Sequence, residues 1–167
     1  MSRETIPVPR PGAPVFVSSL RVRFHEVDSL GHVNNASYLN YLEQAAIDHA
    51  TLLGLTLERL QALGGVFVAR RHQIEFLQPA FAGDLLRIVT WLGEPRGARV
   101  ERFYLLSRTD AMASQLPISG AIVLFDAAPD RDSLVVAAVT EWVFVSATGQ
   151  PRRIPPEVAA GFQARFE

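Results

Sequence analysis

Hydrophobic and charged residues alternate from residue 15 to residue 27. Leu20, Val22 and Phe24 fall on one side, and Arg21, Arg23 and His25 on the other. A period of two predicts a half-buried strand. The period changes at Ala36. From there the apolar positions are Tyr38, Tyr41, Leu42, Ala45, Ala46, Leu52 and Leu53, with His49 on the same stripe. Spacings of three and four predict a long amphipathic helix over residues 36–53, stopped at Gly54. Residues 56–63 predict a short second helix, capped by Thr56 and closed by Gly64-Gly65.

Period two then returns. Strands are predicted at residues 66–77, 85–92, 99–108, 121–125 and 134–145. Pro79, Gly83-Asp84, residues 93–97 and residues 129–133 supply the turns, and residues 110–119 read as a weakly patterned loop. Successive strands without intervening helices pair as antiparallel neighbours, and one long helix with a wide apolar face packs against their sheet. The expectation is an α+β domain of two layers over residues 15–156. Residues 1–14, with prolines at 7, 9, 11 and 14, read as a flexible lead-in, and residues 157–167 as a tail with room for a short helix.

Composition narrows the chemistry. The 167 residues suffice for one domain with a core. A net charge of −1 gives no field for nucleic acid or an anionic membrane. There is no cysteine, hence no disulfide, thiolate zinc site or cysteine nucleophile. The N-terminal residues lack the apolar core of a signal peptide, and no apolar run approaches the ~18 residues of a membrane helix. A soluble cytoplasmic protein is expected. The four histidines show no metal-ligand spacing, and neither a Gly-x-Ser-x-Gly elbow nor a phosphate loop is present.

Chemistry concentrates between strand and helix. Asp28-Ser29-Leu30-Gly31-His32-Val33-Asn34-Asn35 packs one carboxylate, one imidazole and two carboxamides just before a helix N-terminus. Backbone N–H groups point outward there. Two readings stand side by side. In one, Asp28 stabilises a turn and Asn34 or Asn35 caps the helix. In the other, the carboxylate and the outward N–H groups act on a carbonyl.

That string, with Tyr38-Leu39-Asn40-Tyr41-Leu42-Glu43 behind it, resembles the 4-hydroxybenzoyl-CoA thioesterase branch of the hotdog-fold superfamily. Phe76-Leu77-Gln78-Pro79-Ala80 with Gly83-Asp84 resembles the next family landmark. Residues 140–145, followed by Pro151-Arg152-Arg153-Ile154-Pro155, resemble the last. The resemblance covers residues 21–156. It implies a sheet wrapped around one long helix and hydrolysis of acyl-CoA or acyl-carrier-protein thioesters. It implies that Asp28 is the catalytic general base or nucleophile and that the backbone N–H near Asn35 polarises the carbonyl. His32 joins the catalytic group; Gly31, Asn34, Tyr38 and Glu43 join the substrate site, and Glu43 is a second candidate base. No metal or cofactor is needed, coenzyme A being part of the substrate. Arg70, Arg71 and Arg152 are candidates for the CoA phosphates, because an arginine fork matches phosphate. Arg70 and Arg71 read equally as an exposed strand face paired with Glu75. The resemblance also implies a homodimer or a dimer of dimers, with residues 66–77 as the pairing edge. Residues 110–133 exceed the family's usual strand connection and read as a lid, a tunnel cap or a surface hairpin.

Two other functions share the fold. A hotdog hydratase or dehydratase pairs its Asp with a His five residues on; here His32 stands four after Asp28. A non-catalytic acyl-thioester-binding protein would have no need of Asp28.

Overall fold

Asn34 starts the long helix by accepting the Ala36 N–H on Oδ1 at 2.9 Å. Helix α1 then runs Asn35–Leu52 and ends before Gly54, whose φ of +72° reverses the chain. A computed structural model describes residues 7–110 and 120–162. Within them α1 lies on one antiparallel sheet. Its strands are β1 (Pro14–Arg21), β2 (Val66–Phe76), β3 (Leu85–Leu92), β4 (Arg99–Arg108), β5 (Ala121–Leu124) and β6 (Leu134–Val145), in the order β2-β6-β4-β3-β1-β5. Helices α2 (Leu57–Ala62) and α3 (Pro156–Phe162) close one end. This is the α+β hotdog arrangement.

Alternation sorts the strands into two faces. Phe16, Leu86, Ile88, Tyr104, Leu106, Val136 and Ala138 meet Tyr38, Tyr41, Leu42 and Ala45 of α1 in the main core. Their chain neighbours Val15, Val17, Val89, Leu105 and Ala137 form a second core on the other face, with Phe125 and Leu134.

Three expectations change. The first strand stops at Arg21. Val22 takes its partners from the turn at residues 83–84: its N–H donates to Asp84 O, and its carbonyl accepts from Gly83, both at 2.9 Å. The Glu26 carboxylate captures the Arg23 N–H at 2.7 Å, and residues Phe24–Glu26 form a 3₁₀ turn. Phe24 is consequently 87% exposed instead of facing the core.

Second, of the strands adjacent in sequence only β3 and β4 are neighbours: β6 lies between β2 and β4, and β1 lies between β3 and β5. β6 is largely buried along its length, which suits a central strand. The link from β2 to β3 runs past the loop before α1, where Val33 N–H donates to Ala80 O at 2.8 Å.

Third, Arg70 faces Glu141 at 3.7 Å, not Glu75. The pairing of β2 with β6 shifts register between Ala69 and Arg71, which turns Arg70 toward the neighbouring strand.

Residues 120–133 add β5 beyond β1, with Ile122 packed on the main core beside α1, and then bring Phe125 and Leu134 onto the second core on the other face. The rest of the long loop, the first part of the lead-in and the end of the tail (residues 111–119, 1–6 and 163–167) lie outside the described residues.

Leu42 is 1% exposed between α1 and the sheet. Leu42→Ala should cost about 2–5 kcal/mol of unfolding free energy in urea titration. A loss below about 1 kcal/mol would mean that this stripe does not hold the helix down.

Candidate active site

The chain from Glu26 to Asn34 is a closed turn pinned from three sides. Asp28 N–H donates to His32 O at 2.8 Å and Gly31 N–H to Asp28 O at 3.0 Å. Gly31 makes this reversal with φ of +78°, a conformation that side chains resist. Asn34 N–H donates to Glu26 O at 2.8 Å. A short bridge pairs His32 with Phe81 and ties the turn to the β2–β3 link.

Inside the turn, Asp28 Oδ1 accepts the Leu30 N–H at 2.9 Å and the His32 N–H at 3.2 Å. Oδ2 makes no described hydrogen bond, and the residue is half-buried. One carboxylate oxygen is therefore an anchor, and the other is not used by the turn. The helix begins at once. Asn34 spends its side chain on capping Ala36. Asn35, the first helical residue, keeps a main-chain N–H with no described partner, at the positive end of the helix dipole. The capping and carbonyl-binding readings thus use different atoms and coexist.

His32 reaches the Asp28 carboxylate through its main-chain N–H. Its imidazole lies edge-on to the Phe81 ring, centroids 5.4 Å apart. Tyr38 is buried against Tyr41 and Phe76, with ring centroids at 5.9 and 5.6 Å. Burial pushes its hydroxyl up to about 12, partly offset by the backbone of Ala80. Glu43 is exposed on α1. No described hydrogen bond or ion pair joins Arg70, Arg71 or Arg152 to this turn. Arg70 faces Glu141, and Arg152 Nη1 donates to Gly64 O at 3.0 Å. Arg71 is exposed on β2 without a described ion pair.

Glu26 is a site residue that the sequence did not single out. Tyr41 donates its hydroxyl to Glu26 Oε2 at 2.8 Å, and Ser37 donates to the Glu26 carbonyl at 3.3 Å. Burial and that carboxylate together raise the Tyr41 pKa. This side-chain contact fastens the front of the turn to the second turn of α1. The available signal was a carboxylate beside a predicted buried stripe.

A second polar group sits under the other half of α1. Arg102 is 4% exposed, on the helix-facing side of β4. Its Nη1 lies 2.9 Å from His49 Nδ1 and 3.3 Å from Thr90 Oγ1. His49 stacks on Phe16 at 5.1 Å. Burial, then the Arg102 charge, lowers its pKa to about 3, so the ring is neutral and Nδ1 accepts from the guanidinium. No acidic side chain among the described residues pairs with Arg102. Its signal was visible: a charge stands in the buried phase Val100, Arg102, Tyr104, Leu106. Among the described residues no cluster of His, Asp and Glu could hold a metal ion, and no helix is long and apolar enough to cross a membrane.

With this fold and this turn in place, comparison with known proteins defines the class. The chain belongs to the thioesterase-like superfamily, whose model matches residues 22–162. The acyl-CoA thioesterase YbgC of Haemophilus influenzae is 30% identical over 111 residues, 65% of this chain and 80% of that protein. The acyl-acyl carrier protein thioesterase ATL2 of Arabidopsis thaliana is 28% identical over 99 residues, 59% of this chain and 51% of that protein; the chain thus spans about half of that plant relative. In fold, the 1,4-dihydroxy-2-naphthoyl-CoA thioesterase of Synechocystis superposes with a TM-score of 0.70 at 16% identity, over 89% of this chain and 95% of that one.

The neutral His49 makes stability depend on pH. Its pKa is about 3 when folded and about 6.5 when unfolded. Between these values the unfolded chain holds the extra proton, so stability falls as pH falls. Wild type should lose up to about 1.4 kcal/mol per pH unit more than His49→Gln between about pH 6 and 4. Equal slopes in urea titrations would show that His49 is not held neutral.

Proposed function

We propose that the chain hydrolyses acyl thioesters of coenzyme A, or of an acyl-carrier protein, to a free acid and a thiol. The observation that carries this reading is the division of labour in Asp28: two N–H groups anchor Oδ1, Oδ2 makes no described hydrogen bond, and the Asn35 N–H at the start of α1 has no described partner. Asp28 takes a proton from water, and the water oxygen attacks the thioester carbon. The developing oxyanion is stabilised by the Asn35 N–H and the helix dipole. The C–S bond then breaks, and the thiolate leaves with the proton that Asp28 held. Alternatively, the Asp28 carboxylate attacks the carbon directly and the C–S bond breaks to release the thiolate; water then hydrolyses the resulting anhydride to the free acid and the Asp28 carboxylate, and its released proton goes to the thiolate. Thiolates leave readily, so one carboxylate and one oxyanion site suffice. His32, Gly31 and Asn34 hold this geometry, and Glu43 stands as the second candidate base. Membership of the thioesterase-like superfamily and the likeness to YbgC support the reading.

Asp28→Asn keeps the shape of the turn and removes the base. It should reduce kcat by roughly 10²–10⁴-fold with little change in KM, measured by thiol release from a panel of acyl-CoAs. More than about a third of wild-type kcat in Asp28→Asn would exclude Asp28 as the base and make Glu43→Gln the next variant. An absorbance change without thiol release would point to the hydratase reading.

Of the three arginines, Arg71 is the one without a described partner, so it is assigned the CoA phosphates ahead of Arg70 and Arg152. An exposed charge contacts ground and transition states alike. Arg71→Ala should raise KM several-fold at unchanged kcat, and the effect should shrink in high salt. An unchanged KM would remove Arg71 from the nucleotide site.

The active form is assigned as a homodimer, or a dimer of such dimers, paired along β2. This strand ends the sheet over Val66–Phe76, and among the described residues its outer N–H and C=O groups have no strand beside them. Edges of this length are normally covered or paired. Light scattering at micromolar concentration should return at least twice the 18.4 kDa chain mass. A monomer mass would overturn the pairing.

A further inference from the structure

A cavity of about 350 Å³ lies between the second half of α1, the start of α2 and strands β2, β4 and β6. Ala46, Ala50, Leu60, Phe67 and Trp142 give it apolar walls, and Arg102 is the one charged group in its lining among the described residues. It is separate from the Asp28 turn within the chain. Ala46 stands eleven residues beyond Asn35, about 16 Å along the helix, and Tyr38, Leu42 and Ala45 fill the helix–sheet space on the way.

We propose that this cavity binds a ligand with an apolar body and a terminal carboxylate, and that the carboxylate docks on the Arg102 guanidinium.

Three observations support the choice. The Arg102 charge is buried, and its described partners, His49 and Thr90, are both neutral. A buried cation without an anion is costly, and proteins normally supply one. Both described hydrogen bonds leave from Nη1, so Nε–H and the Nη2 donors remain to fork onto a carboxylate. The remaining walls select the body. A sugar or a nucleotide would find one cation and mostly hydrocarbon, and a plain hydrocarbon would leave the guanidinium unpaired. At about 30 Å³ per small group, the volume accepts roughly ten non-hydrogen atoms, the size of an eight-carbon acid. The ligand is a free carboxylic acid, the product class of the proposed hydrolysis, or the far end of an acyl group that itself carries a carboxylate.

Titration calorimetry with octanoate and 1-octanol reads the site without turnover, so its outcome is independent of whether the chain hydrolyses thioesters. Octanoate should bind one per chain, and octanol at least roughly tenfold more weakly, the usual weight of a charge-assisted pair. Arg102→Met should abolish the difference between the two ligands. Because that variant removes a buried cation, Ala50→Leu serves as a second test: it fills the cavity, keeps Arg102 and should lose octanoate. Equal binding of octanoate and octanol, no octanoate binding at millimolar concentration, or octanoate binding unchanged in both variants would each overturn the site. Suberoyl-CoA against octanoyl-CoA separates the two sources. A preference for suberoyl-CoA that Arg102→Met removes places a substrate's own carboxylate in the cavity. Octanoate binding without such a preference identifies the ligand as a free acid.

Discussion

The structure depends on one packing constraint: α1 must lay its Tyr38, Tyr41, Leu42 and Ala45 stripe on the inner face of the sheet. Burial of that stripe fixes the axis of the helix, and the axis fixes where its first N–H groups point. The turn before α1 cannot drift, because it is tied to the helix through Tyr41 and Glu26 and to the β2–β3 link through Val33 and Ala80. A carboxylate in a free loop would sample many positions. Asp28 is held by the Leu30 and His32 N–H groups, so the fold itself meets the entropy of ordering it. The first turn of α1 offers an unpartnered N–H, and the second half spans a cavity that its small residues Ala46 and Ala50 leave open.

The polar groups follow different rules at the two ends. Near the N-terminus each carboxylate has donors that suit it. Glu26 takes a hydroxyl and a backbone N–H, and Asp28 takes two backbone N–H groups on one oxygen. Under the second half of α1 the balance is uneven, because a guanidinium is buried beside a neutral imidazole and a hydroxyl. Such a group adds little stability by itself. It makes sense as a feature held for something that completes it.

The two faces and the two edges of the sheet are also treated unlike each other. The face away from α1 is covered by the chain's own crossing after β5, with Phe125 and Leu134 on Val15, Val17 and Val89. One edge is extended by the short β5, and the other ends in β2, eleven residues long and mostly exposed. The extra length between β4 and β6 therefore serves both faces of the sheet over residues 120–133: Ile122 packs on the main core with α1, and Phe125 covers the second core.

Local chemistry was readable directly. The change of period at Ala36, a cap at Asn34 or Asn35, the stop at Gly54 and the limits of β3, β4 and β6 follow from side-chain spacing and turn residues, which act over a few positions. The Asp28 cluster was readable for the same reason: its residues are neighbours in the chain and its turn closes on itself. Pairing order was not. That β6 separates β2 from β4 depends on which strand buries both faces, a property of the assembled sheet. The end of β1 at Arg21 was decided by Gly83 and Asp84, some sixty residues away. Glu26 became part of the site only when α1 brought Tyr41 to it. Arg102 stood in a buried phase of the sequence from the start. Tertiary structure alone could show that it faces a cavity with no anion among the described residues, because a charge acquires that meaning from what is packed around it.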